Sequence, residues 1–166
     1  MNSLIRTIAA LSGALIAAST SVLPAMARID SGSGDLIRKA ERYGATFVDG
    51  SNNPDCTPGI HGWYNHGTKT ITICTLNQMN AETHDTLRHE VFHFIQGCQS
   101  SGYQLEPLMP RQNFIYFVER SLTPGQIDGI KMTYPQGKWA TEMEAFAMAK
   151  DMSAATLSIY LDKYCG

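Results

Sequence analysis

Residues 87–96, Leu-Arg-His-Glu-Val-Phe-His-Phe-Ile-Gln, decide how this chain is read. They contain His89, Glu90 and His93 in the spacing His-Glu-x-x-His. On a helix, residues i and i+4 stand one above the other, so the two imidazoles share a face and can hold one metal ion. A glutamate beside the first histidine can then act on a metal-activated water. Val91, Phe92, Phe94 and Ile95 surround the polar residues and predict a largely buried helix. Buried histidine and glutamate need a partner, because desolvating them alone is costly.

The helix around this stretch is expected over 80–97, with Asn80 as its cap and Gly97 as its stop. Before it, 35–43 reads as a short helix closed by Gly44, and 45–48 as a strand. Residues 49–59, rich in Gly, Pro, Asn and Asp, read as a loop. A hairpin follows: Gly62-Trp63-Tyr64 enters, Asn65-His66-Gly67 turns, and 69–74 returns with Ile71 and Ile73 facing the core. After the motif come a loop over 99–110, a helix over 111–121, and another with Thr123 as cap, Pro124 at its first position and Gln126 at its third. Tyr134-Pro135 ends that helix, and a last one is expected over 138–163. A small sheet followed by helices is an α+β class.

Size and composition suit one globular domain: 166 residues, 43% hydrophobic and 17% charged. A net charge of −2 without a block of like charge offers nucleic acid no electrostatic footprint. The first 27 residues read as an export signal rather than as fold. A basic start carries Arg6, an apolar run covers 8–18, and Ala25-Met26-Ala27 supplies small residues for cleavage after Ala27. The run is too short for a stable membrane span. The expected mature domain is 28–166, secreted or periplasmic.

All four cysteines, Cys56, Cys74, Cys98 and Cys165, lie in that mature part. An even count in an exported chain predicts two disulfides, with three connectivities open. Spacings of 18, 24 and 67 contain no Cys-x-x-Cys knuckle, which argues against a thiolate metal site. The favoured pairing is Cys56–Cys74, across the loop and hairpin, with Cys98–Cys165 tying the motif helix to the C-terminus.

A catalytic zinc usually takes three protein ligands. Gln96 and Gln99 occupy the positions where one extended motif places Gly and a third His, and no histidine follows His93. A downstream third ligand must therefore be a carboxylate, and the last helix offers Glu142 and Glu144. At 100° per residue, Glu144 falls on a polar stripe with Asp151 and Asp162, whereas Glu142 falls among Trp139, Phe146 and Leu157. A carboxylate on an apolar face needs a partner, which selects Glu142 and holds Glu144 in reserve.

With His89, Glu90, His93 and one of Glu142/Glu144 identified, the chain resembles the gluzincin group of zincin metallopeptidases. That resemblance implies a zincin-like fold, one zinc ion per chain and a peptide or protein substrate. It also implies that residues 69–74 form the edge strand that aligns an extended peptide. The chain departs from better-described members in lacking an Asp four residues after either glutamate, where Phe146 and Met148 stand. The expected function is a secreted zinc-dependent peptidase in which Glu90 is the general base. The alternative is a zinc-binding module without hydrolysis. Tyr134, Tyr160, His61 and His66 are candidates to stabilise the developing oxyanion. His84 reads as a surface residue near the helix start.

Overall fold

The computed structural model describes residues 32–76 and 78–166. The expected export signal, residues 1–27, and the expected mature start at Arg28 lie outside the described residues. Among the described residues the architecture is α+β, with six α-helices and one three-stranded sheet. Helix α1 spans Ser33–Arg42, and Gly44, at φ 94°, lets the chain turn back from its end. Strands β1 (Thr46–Asp49), β2 (Gly62–Asn65) and β3 (Thr70–Ile73) follow. Helix α2 is Ala81–Gln99, α3 Arg111–Ser121, α4 Pro124–Thr133, α5 Trp139–Asp151 and α6 Ala154–Cys165. A single 3-10 turn, Gln136–Lys138, leads into α5.

The hairpin forms as read, with Trp63 opposite Thr72 and Tyr64 opposite Ile71. The sheet order is β1-β3-β2, however, with β1 parallel to β3 and β2 antiparallel to it. The strand within 69–74 is therefore central, and the expectation that it forms the edge is corrected: the antiparallel edge is β2. Burial explains why β3 is enclosed. Ile71 and Ile73 face the core, and Thr72 is buried on the other side. The loop after β1 covers that side so closely that a Cβ on Gly50 would lie 2.9 Å from both Cys56 Sγ and Thr72 Cγ2. Cys56–Cys74 staples this loop to the end of β3, and Cys98–Cys165 joins α2 to α6. Both favoured pairings are present.

Helix α2 is the axis of the molecule, touching β2, β3, α5 and α6. It is apolar around most of its circumference, as a helix packed on several sides must be. Leu87, Val91, Phe92, Phe94 and Ile95 are all within 1% of complete burial. Burying side chains of this size contributes about 1.5–3 kcal/mol each. The Asn80 side chain caps α2 by accepting from Thr83 N at 2.8 Å. Thr123 and Gln126 form the expected capping box on α4.

Two expectations about α2 change. Gly97 does not stop it; the helix runs on to Gln99, and Gly97 instead makes room for the hairpin. A Cβ there would meet His66 Nδ1 at 2.7 Å and Tyr64 Oη at 2.9 Å. His84 is buried rather than at the surface, with its Nδ1 2.7 Å from Ser33 Oγ, because α1 covers the start of α2. The long last helix divides at Met152-Ser153, where the Ser153 side chain accepts from Thr156 N and caps α6.

Candidate metal centre and its cleft

Two turns of α2 project His89 and His93 to the same side, and the first turn of α5 brings Glu142 against them. His89 Nε2 and His93 Nε2 are 3.0 Å apart. Glu142 Oε2 lies 3.4 Å from the first and 3.3 Å from the second. These three buried residues form a group that could hold a metal ion, alone in this among the described residues. The spacing has a physical meaning. Ligand atoms bonded tetrahedrally at about 2.0–2.1 Å stand roughly 3.3 Å from one another, so the observed triangle already approximates three corners of such a site.

Electrostatics agrees with this grouping. Burial pushes the Glu142 carboxyl upward, but its hydrogen bonds to both histidines and their charges outweigh this and hold its pKa at about 2. Burial lowers the affinity of His93 for a proton, yet the hydrogen bond to Glu142 and the charges of Glu90 and Glu142 leave its pKa raised. Glu90 is buried beside the group, and desolvation raises its pKa against the lowering effect of the two histidines. The backbone of Tyr64 on β2 adds a small lowering influence, which places that carboxylate beside the sheet edge.

Glu144 has a different place from the one the helical wheel gives it. It is completely buried, more so than Glu142, and not on a polar stripe. The wheel fails because α5 is enclosed on two sides, by α2 and by α3 with the preceding loop, and because it ends before Asp162. Glu144 accepts from Leu108 N at 2.8 Å, Met109 N at 2.7 Å and Gln96 Nε2 at 2.8 Å. Three donors satisfy its charge, and it lies outside the metal-capable group.

Gln96 is the residue the sequence reading undervalued. Its Nε2 donates to Thr141 O and Glu144, which fixes the amide so that Oε1 faces His93 Nδ1 at 2.7 Å. His93 must then carry its proton on Nδ1, leaving the Nε2 lone pair to the site. The available signal was its position three residues after His93, on the same helix face. His89 has no such support: its Nδ1 is buried without a hydrogen-bond partner among the described residues. Phe146, four residues after Glu142, packs against the His89 ring at 4.3 Å between centroids and orients it by contact.

The group opens on a cleft with two lobes of about 740 and 820 Å³. Gly62, His89, Glu90 and Tyr134 line both, whereas His93 and Glu142 line the first alone, so the metal-capable group faces the first lobe with His89 at the junction. Loop residues Tyr103, Gln104 and Leu105 wall the first lobe; Ile60, Leu122 and Phe146 give the second a more apolar lining. Of the four oxyanion candidates, Tyr134 lies in the cleft. Burial, then the charges of Glu142 and Glu90, raise its pKa and keep its hydroxyl protonated. Its backbone is pinned, with N–H on Ile130 O and the carbonyl accepting from Trp139 Nε1 at 2.8 Å. His66 borders the cleft but is engaged, Nε2 with Gly102 O at 3.0 Å and Nδ1 with Tyr64 Oη at 3.3 Å. His61 lies at the rim of the apolar lobe, 3.4 Å from Glu82. Tyr160 is elsewhere, packed between Phe92 and Tyr164.

Among the described residues no helix is long and apolar enough to cross a membrane. The two disulfides suggest an extracellular or otherwise oxidising compartment. No protein-family model matches the chain, and neither curated proteins nor solved structures yield a match.

Proposed function

We propose that the protein is a secreted, zincin-like peptidase that holds one zinc ion on His89, His93 and Glu142 and hydrolyses peptide bonds. The convergence of these three buried side chains, with Glu90 beside them in an open cleft, carries this reading. Two imidazoles and a carboxylate suit zinc and leave a fourth position for solvent or substrate. Bound there, zinc would supply a Lewis acid that polarises a carbonyl and acidifies water.

The chain's own residues supply the rest. Glu90 takes the proton of the attacking water and returns it to the leaving amine; its raised pKa suits a group that must both accept and donate. Tyr134 keeps its proton and donates to the developing oxyanion. Glu142 stays ionised as a ligand. Strand β2 aligns the substrate. The bond from Cys74 N to His61 O and the register place Gly62 and Tyr64 at positions whose N–H and C=O point away from β3. Glu90 lies beside this edge, whose outward groups are offered to an extended peptide.

A mixed peptide library tests the reading. The zinc-loaded protein is expected to cleave it, and both Glu90→Gln and a chelator to abolish cleavage. Stoichiometric zinc without any cleavage would refute the peptidase and favour a zinc-binding module.

A further inference from the structure

The wall of the first lobe, residues 100–110, contains no helix or strand, yet both its ends are fastened to one point. At its start, Ser100 N and Ser100 Oγ both donate to Gln96 O, at 3.1 and 2.9 Å. Ser100 Oγ in turn accepts from Glu106 N at 3.1 Å, folding the loop on itself. At its end, Leu108 N and Met109 N donate to the two carboxylate oxygens of Glu144. Glu144 accepts from the side chain of the same Gln96, whose Oε1 holds His93 Nδ1. Besides the loop's self-contact and the bond between His66 Nε2 and Gly102 O at 3.0 Å, these links run to Gln96 and Glu144, three residues from His93 and two from Glu142, the proposed metal ligands.

We propose that Glu144 is a positioning residue: with Gln96 it couples the 100–110 wall of the cleft to the orientation of His93. Metal loading and ordering of this wall then reinforce each other. The inference rests on the metal-centre reading above, and adds to it a regulation of the cleft by its own metal. The physical basis is that Gln96 has one amide to share. Its Nε2 can donate to Glu144 while Oε1 accepts from His93 only in one orientation. Turning the amide to release the histidine presents an oxygen to a carboxylate and removes one of the three donors that satisfy Glu144. Loss of that donor loosens the Leu108 and Met109 anchors, and a loosened loop returns the strain to the histidine. Such coupling is reciprocal for binding equilibria. Charge alone would not require it, since Glu144 makes no bond to the proposed metal position; the connection is through a hydrogen-bonded chain with a defined direction.

Amide hydrogen exchange on the disulfide-intact protein, metal-free and zinc-loaded, tests the coupling, with calorimetry reporting zinc uptake in parallel. Zinc is expected to slow exchange at Leu108 and Met109 by tenfold or more. The Cys56 amide, bonded to Asn53 O in a remote loop, is expected to change far less. Gln96→Leu, which removes both arms of the link, is expected to weaken zinc about 10–100-fold, the range for outer partners of metal ligands. It should also remove the zinc dependence of Leu108 and Met109 exchange. Glu144→Gln, with one oxygen left for three donors, is expected to show an intermediate loss of both. A role in folding alone would lower stability in these variants without making loop exchange depend on zinc. Zinc uptake by the wild type with unchanged Leu108 and Met109 exchange overturns the coupling and leaves the metal centre standing. No zinc uptake by the wild type overturns both, and the wild-type comparison needs no variant to fold.

Discussion

Gly62→Ala puts a number on how tightly the β2 edge is set against the site. Gly62 borders both lobes of the cleft beside His89 and Glu90. A Cβ built there would lie 2.7 Å from Thr72 O, 2.9 Å from Thr86 Cγ2 and 3.1 Å from Ile73 Cδ1. The closest atom belongs to the backbone of the central strand, so it cannot swing aside as a side-chain end could. Such overpacking costs about 1–3 kcal/mol. Replacing glycine by alanine within a strand returns about 0.5–1 kcal/mol of chain entropy. The midpoints of these two ranges leave a net loss of about 1.3 kcal/mol. Gly129, inside α4, is the internal control, because a Cβ there has no neighbour within 4 Å. Gly129→Ala should therefore gain about 0.5–1 kcal/mol. In a chain of this size each kcal/mol moves the melting temperature by about 3–4 °C. The two variants should move in opposite directions, down by about 4–5 °C and up by about 2–4 °C. Thermal unfolding with urea titration as a cross-check measures both. If Gly62→Ala were as stabilising as Gly129→Ala, β2 would not be pressed against β3 and α2 as described, and the placing of the β2 edge beside Glu90 would lose its support.

Three further outcomes are expected. Removing Cys98–Cys165 by a double Cys→Ser change should cost about 4 kcal/mol and removing Cys56–Cys74 about 3, from loops of 67 and 18 residues, read by urea unfolding. For the metal-free protein, the raised His93 pKa contributes stability that is fully present below its ordinary 6.5 and lost as pH rises through the folded value. Glu142, depressed to about 2, contributes stability present above its ordinary 4.5 and lost as pH falls through about 2. Metal-free stability should therefore peak between these limits, while zinc affinity falls on acidification because zinc must displace the His93 proton; calorimetry from pH 5 to 8 checks both signs. Tyr134→Phe should lower kcat about 10²–10³-fold while leaving KM and zinc affinity nearly unchanged, as steady-state kinetics and a zinc titration would show.

Much of the site was legible because its signals are local. The spacing of His89 and His93 fixes their common face whatever the rest of the fold does, and Asn80 and Thr123 cap helices by short-range chemistry. Both disulfides followed from the even cysteine count and the loop-and-hairpin layout. Glu142 was selected by a sound premise, that a carboxylate on an apolar face needs a partner, but the companion inference about Glu144 failed. A helical wheel assumes one solvent side, and α5 has almost none between Thr141 and Ala145. Sheet order was illegible for a related reason. Parallel pairing of Thr46–Asp49 with Thr70–Ile73 joins segments separated by the whole loop and β2, and no local pattern records it. His84 illustrates the same limit: only the docking of α1, through Ser33, removes it from solvent.

The most direct test of the central claim is a zinc titration of the metal-free protein alongside Glu142→Ala. Apparent affinities of about 10–16 kcal/mol for four-ligand zinc sites imply roughly 2.5–4 kcal/mol per ligand. One zinc per chain is expected in the wild type, with binding weakened about 100–1000-fold in Glu142→Ala. A wild type that takes up no zinc, or a Glu142→Ala variant that binds it as tightly, would overturn the assignment of His89, His93 and Glu142 as zinc ligands.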